Sequence, residues 1–159
     1  MAGVPDDEDA CPGTAEGAAV DANGCSVAQV DADDDCVCDP GAPSGGPSGC
    51  TGSDACPGTP AGEAVDANGC TPTEANENLL DDVDSLGLPN GVANSLTAPL
   101  NQATANLNDG NPNNDGAVCG SLTAFIKQVA AKERNGQLTA TQAEELRQAA
   151  EIIKAALGC

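Results

Sequence analysis

The sequence predicts two parts of different class: an irregular, cross-linked repeat segment with little regular secondary structure over residues 1–72, and an all-α three- or four-helix bundle over residues 73–159. Three observations predict this division. A 15-residue unit occurs twice, as Cys11-Pro-Gly-Thr-Ala-Glu-Gly-Ala-Ala-Val-Asp-Ala-Asn-Gly-Cys25 and again from Cys56 to Cys70, with 12 of 15 positions identical. Residues 1–126 carry 21 Asp or Glu and no Lys or Arg, so that the first basic side chain is Lys127 and the whole chain has a net charge of −20. The first 74 residues hold six Val but no Leu, Ile, Phe, Tyr or Trp, whereas Leu, Ile, Val and the single Phe recur at helical spacing from Leu79 onward.

With so few apolar side chains the N-terminal part has no sizeable core. Ordering costs roughly 1–2 kcal/mol per residue, and without burial to offset it the segment needs covalent or metal cross-links to fold. Seven of the nine Cys lie between residues 11 and 70, a density expected of a secreted, disulfide-stapled module. Each repeated block can close on itself, Cys11 with Cys25 and Cys56 with Cys70, each loop contributing roughly 3 kcal/mol by restricting the unfolded chain. Pro-Gly after the first Cys and Asn-Gly before the last are turn dipeptides. The three remaining Cys, Cys36, Cys38 and Cys50, leave one thiol unpaired, free or intermolecular; Cys50 is stapled back to Cys36 or Cys38 around an inserted loop, residues 40–53, of linker composition.

Between the blocks stands Asp31-Ala-Asp33-Asp-Asp35-Cys-Val-Cys-Asp39, whose carboxylates at i, i+2, i+4 and i+8 alternate as in loops that wrap oxygens around one Ca2+. Crowded carboxylates repel unless a hard, oxygen-preferring cation neutralises them. The rival readings are a disordered acidic tail, which would not need two near-identical Cys-bounded blocks, and a thiolate metal site at Cys36 and Cys38, which would want a second such pair or a His.

These residues closely resemble the thrombospondin type 3 repeat of bacterial surface proteins, in which an Asp-x-Asp-x-Asp-Gly-x-x-Asp loop leads into a Cys-Pro-Gly-Thr…Val-Asp-x-x-Gly-Cys block. The resemblance covers residues 5–72 and implies a chain wound around several Ca2+ ions. It implies ligands at Asp31, Asp33, Asp35 and Asp39 in the loop and at Asp54 before the second block. Before the first block it implies Asp6 and Asp9, and within the blocks Asp21 and Asp66, with Asn23 and Asn68 as weaker candidates. The chain departs from the pattern at Cys36, where the Gly is expected, and at the stretch that separates Asp39 from Asp54.

In the C-terminal part, Thr71-Pro72-Thr73-Glu74 is a capping box with Pro at the first helical position, predicting a helix over 72–86 with Leu79, Leu80, Val83 and Leu86 on one face. Gly87 and Pro89 end it. A second helix from about residue 91 carries Val92, Leu96, Leu100, Ala103 and Leu107, with a kink expected at Pro99. The polar stretch 108–116 follows. Its alternating Asp109, Asn111, Asn113 and Asp115 look like a calcium loop, but Gly120 stands where the bidentate Glu belongs, so an interhelical loop with Asp115 as N-cap is the better reading. The third helix, 116–134, groups Val118, Leu122, Phe125, Ile126 and Val129. The fourth opens on the box Thr139-Ala-Thr-Gln142 and carries Ala143, Leu146, Ala150, Ile153 and Leu157. The two make an antiparallel hairpin of nearly matched length, which brings Cys119 beside Cys159. Residues 79–159, with Gly-Leu-Pro-Asn-Gly-Val-Ala-Asn, Ala-Phe-Ile-Lys-Gln-Val and Gly-Gln-Leu-Thr-Ala-Thr-Gln-Ala, resemble the FIMAH domain of bacterial and archaeal secreted proteins, which implies an extracellular accessory module without known chemistry.

The expected function is a secreted or cell-surface, non-enzymatic calcium-binding structural protein: a Ca2+-rigidified repeat segment joined to a helical docking domain, as a subunit of an extracellular filament. The alternative is a C-terminal accessory or adhesion module of a larger exoprotein. With no His in the chain, Ser-His and Cys-His nucleophile pairs and His-ligated metals are excluded. Paired carboxylates remain, but no apolar cleft is evident to tune them for catalysis. Expected partners are further copies of the chain or other extracellular proteins, and the charge argues against nucleic acid. No transmembrane stretch is present, and no leader-like segment follows Met1, so the chain reads as a mature form or an excised piece.

Overall fold

The computed structural model describes residues 9–109 and 115–159, and the chain divides into two compact units, Met1–Thr71 and Pro72–Cys159. Asp6, the loop positions Asn111 and Asn113, and the side chain of Asp115 lie outside the described residues.

Among the described residues of the first unit, regular structure amounts to one helical turn, α1 (Val27–Val30), and an isolated parallel bridge between Val37 and Thr51. Helix α1 is an addition to the sequence-based expectation. Gln29 at its third position accepts from Ser26 N–H at 3.1 Å, as in a capping box. The same amide donates to Cys11 O at 3.1 Å and accepts from Thr14 Oγ1 at 2.8 Å, which ties the turn to the first block. Three disulfides close this unit: Cys11–Cys25, Cys56–Cys70 and Cys38–Cys50, the last resolving the alternative between Cys36 and Cys38. Its largest apolar cluster is small: Cys11, Cys25, Cys38 and Cys50 around Val30, with Ala42 packed on top. The insertion is therefore part of the fold rather than a loose linker. Its Gly46 lies against Val30, where an added Cβ would meet Cγ2 at 2.6 Å. Its Ser44 hydroxyl donates to Asp21 and, as the largest influence, holds that carboxyl below its ordinary range.

The second unit is a helical bundle. Helix α2 (Pro72–Ser85) packs on α3 (Asn90–Leu107), α3 on α4 (Asp115–Arg134), α4 on α5 (Ala140–Ala156), and α5 on α2, so the ring of neighbours closes. Side chains at 3- and 4-residue spacing fill its centre, with Leu79, Leu96, Leu100, Leu122, Phe125 and Ile153 almost wholly buried. Helix α3 continues through Pro99. Asp115 is the first residue of α4 rather than the residue preceding it. Thr139 caps α5 as expected, accepting from Gln142 N–H at 3.2 Å while Gln142 Oε1 accepts from Thr139 N–H at 2.9 Å. The Cys119–Cys159 disulfide, with Cα atoms 6.1 Å apart, joins the second turn of α4 to the residues after α5. Arg147 bridges Glu133 of α4 and Glu144 of α5 at 2.6 and 3.1 Å. No described helix is long and apolar enough to cross a membrane.

Candidate metal centre

The centre grows from the end of α1. Asp31 caps that turn, its N–H donating to Val27 O at 2.8 Å, and its almost fully buried carboxylate turns back on the residues that follow. Asp31 Oδ1 accepts from Asp35 N–H at 3.2 Å and Oδ2 from Cys36 N–H at 3.1 Å. To wrap around one carboxylate in five residues the chain adopts positive φ at Asp34 (61°) and Cys36 (71°). Cys36 thus takes the left-handed conformation for which Gly was expected, at a cost of roughly 1–2 kcal/mol. Asp39 N–H closes the loop on Val30 O at 2.7 Å.

Two further acids bring the second block onto this loop. Asp33 Oδ2 accepts from Gly58 and Thr59 N–H at 2.8 and 2.9 Å, 25 and 26 residues away. Asp54, itself buried, donates its N–H to Cys38 O at 2.7 Å and accepts from Cys56 N–H on Oδ1 at 2.7 Å. Carboxylate oxygens of Asp31, Asp33 and Asp35 lie within 4.8 Å of one another. Asp35 and Asp54 meet over Gly69: a Cβ there would fall 2.2 Å from Asp54 Oδ1 and 2.8 Å from Asp35 Oδ2. The absence of a side chain at Gly69 is what leaves the two carboxylates room.

Most of these oxygens are spent on backbone N–H groups, but Asp33 Oδ1, Asp35 Oδ2 and Asp54 Oδ2 are buried without a hydrogen-bond partner. Burial pushes the carboxyls of Asp35 and Asp54 up, against the lowering pull of Val37 and Cys56 N–H, and the charge of Asp33 pushes the same way. Asp39 adds to the field on both, and Asp31 to that on Asp35. Three orphaned anionic oxygens in a stretch devoid of Lys and Arg make a donor set of hard oxygen ligands only. That suits Ca2+, which takes six to eight such ligands, and suits thiophilic metals poorly.

The remaining predicted ligands divide. Asp9 repeats the geometry of Asp54: it accepts from Cys11 N–H at 2.9 Å, and a Cβ on Gly24 would fall 2.3 Å from its Oδ1. Asp6, the other ligand the resemblance implies before the first block, lies outside the described residues. Asp21 Oδ1 accepts from Asn23 and Cys25 N–H, and Asp66 Oδ1 from Asn68 and Cys70 N–H, both as turn-forming caps within their blocks. Asn23 and Asn68 are exposed, and their backbone carbonyls accept from Ala10 and Ala55 N–H. Gly69, Gly24 and the block threonines were not anticipated. Thr14 and Thr59 clip the two ends of their blocks, Thr59 Oγ1 donating to Cys56 O and Gly69 O at 3.1 and 2.9 Å. Their identical positions in the two blocks were the available signal.

No protein-family model, curated protein or solved structure matches the chain.

Proposed function

We propose that this chain is a non-enzymatic, extracellular calcium-binding structural protein whose repeat segment is rigidified by Ca2+ and whose helical bundle serves docking or assembly, as in a filament subunit. The observation that carries the reading is the convergence of Asp31, Asp33, Asp35 and Asp54, three of them with a buried, unpartnered oxygen. With no basic side chain among the first 126 residues, a cation from solution is the natural counter-charge. One Ca2+ held by Asp31, Asp33 and Asp35, with Asp54 beside Asp35, would join the loop after α1 to the second block. The thrombospondin type 3 likeness supports further ions at Asp9 and its neighbours. Four disulfides accord with an oxidising, extracellular compartment. The bundle's likeness to FIMAH domains supports an extracellular accessory module, and exposed Cys36 favours self-association over a monomeric stalk at the end of a larger exoprotein.

Calcium titration by calorimetry, with amide exchange of residues 9–70 followed in calcium and in chelator, tests this reading. The expected result is more than one binding event and exchange protection that depends on calcium. Identical protection in both buffers would overturn it. Light scattering under non-reducing conditions then separates the two roles: calcium-dependent assemblies support the filament, and a monomer at saturating calcium supports the accessory module.

A further inference from the structure

We propose that Cys50 exchanges its disulfide partner between Cys38 and Cys36, and that the state of the carboxylate loop selects the partner. Val37 and Thr51 form a parallel bridge in which Thr51 N–H donates to Cys36 O at 3.2 Å and Cys38 N–H to Thr51 O at 3.4 Å. In that register the residues preceding the bridge partners lie across from each other, so Cys36 stands opposite Cys50. The disulfide runs on the diagonal, from Cys50 to Cys38, with Cα atoms 5.1 Å apart. Cys36 is free and exposed, whereas Cys38 and Cys50 are buried. A thiol and a disulfide thus share one bridge.

The exchange needs no oxidant or reductant. Cys36, having given its proton to solvent, attacks Cys50 Sγ as thiolate; the Cys36–Cys50 bond forms, the Cys38–Cys50 bond breaks, and Cys38 leaves as thiolate and takes up a proton. The number of disulfides and thiols is unchanged.

What holds Cys36 out of this bond is the acidic loop. Its N–H donates to Asp31 Oδ2 at 3.1 Å, and its φ of 71° turns it away from extended geometry. Pairing squarely with Cys50 requires an extended Cys36 and gives up the bond to Asp31. Relief of the left-handed conformation pulls toward the exchanged isomer by about five- to thirtyfold, and the lost bond to Asp31 offsets it by a similar factor, so that the two isomers lie close enough for the loop to choose between them. A cation on Asp31, Asp33 and Asp35 opposes the exchange by fixing the loop as it stands; this part of the inference rests on the calcium reading. Filled, the loop presents Cys36 to solvent, where it can reach a neighbouring chain. Emptied, it lets Cys36 take Cys50 and leaves the odd thiol on Cys38, at a buried position.

The full chain, equilibrated without oxygen in mildly alkaline buffer with calcium or chelator, then acid-quenched, alkylated with N-ethylmaleimide and digested, reads the partner directly. Fragment-ion sequencing of the peptide holding both residues places the label on Cys36 or Cys38. The expected label is on Cys36 in calcium held at ten times its dissociation constant, with the ratio of Cys38 to Cys36 label about tenfold higher in chelator. Label on Cys36 alone in both buffers overturns the exchange. Calorimetry on the same sample keeps failure of the calcium reading distinct: if no calcium binds, Asp31→Asn replaces the cation as the perturbation. That variant is expected to move label to Cys38, and an unmoved label overturns the proposal.

Discussion

Gly69→Ala separates the carboxylate cage from everything else in its block. The substitution adds one methyl group, 2.2 Å from Asp54 Oδ1 and 2.8 Å from Asp35 Oδ2, distances at which both carboxylates must move. It also places Ala at a φ of 76°, which costs roughly 1–2 kcal/mol wherever it is done. Gly62→Ala is the control, because Gly62 sits in the same block at a φ of 89° with nothing within 4 Å of the added carbon. Both variants carry the backbone cost, and Gly69→Ala alone disturbs the ligands. Displacing one or two carboxylates loses charge-assisted contacts worth about 1.5–3 kcal/mol each. Calcium affinity at this site should therefore fall by about one to four orders of magnitude in Gly69→Ala and stay near the parent value in Gly62→Ala. Calorimetric titration measures both dissociation constants, and urea denaturation in chelator checks that the two variants lose similar stability from the backbone. If Gly69→Ala binds calcium as tightly as Gly62→Ala, the convergence of Asp35 and Asp54 is not a cation site.

Acidity should act on the first unit in an unusual direction. In chelator, the raised carboxyls of Asp35 and Asp54 bind protons more readily folded than unfolded, so their contribution favours the fold in acid and is lost as pH rises from 3.8 through their raised values. Asp21, held low by Ser44, contributes the opposite, stability present above 3.8 and lost as pH falls below it. Amide protection factors at Asp39 and Asp54, whose N–H groups donate to the backbone carbonyls of Val30 and Cys38, should decline toward neutrality without calcium and recover with it; protection that rises with pH in chelator would refute the assignment. In the bundle, replacing Cys119 and Cys159 by Ser removes a cross-link spanning 40 residues, worth about 4 kcal/mol in the chain-entropy picture. The helical thermal transition should drop by about 15–30 °C, by the same amount in calcium and chelator. A calcium-dependent drop would show that the two units do not fold independently.

The bundle was largely legible because each of its signals is local. A capping box at Thr139 and Gln142, a left-handed Gly136 and apolar side chains three and four residues apart fix where a helix begins, ends and faces, and the hydrogen bonds follow that pattern. The Cys119–Cys159 link followed from helix length alone. Helix α1 carries the same kind of signal. Ser26 and Gln29 stand after the first block as Thr71 and Glu74 stand after the second, so the repeat extends past its closing Cys into a helix start. In the first copy that helix stops after four residues, where Asp31 turns its carboxylate back onto the chain.

The candidate metal centre was legible as a list and not as a shape. Spacing marks Asp31, Asp33 and Asp35 because they share one loop, but it does not show that Asp33 reaches 25 residues forward to Gly58 while Asp54 returns to Cys38 O. Those contacts depend on the insertion, whose composition suggests a linker and whose Ser44, Gly46 and Ala42 instead cover Val30 and Asp21. Once Cys38–Cys50 draws that loop back, Asp54 is carried to Asp35 and the second block docks on Asp33. The departure at Cys36 has the same root. A Gly would adopt the left-handed turn freely, whereas Cys adopts it at a cost and keeps a thiol beside the disulfide that shapes the site. Sequence distance hides that pairing: Cys36 and Cys38 are equally plausible partners for Cys50, and the choice between them rests on which way a single residue of the acidic loop is turned.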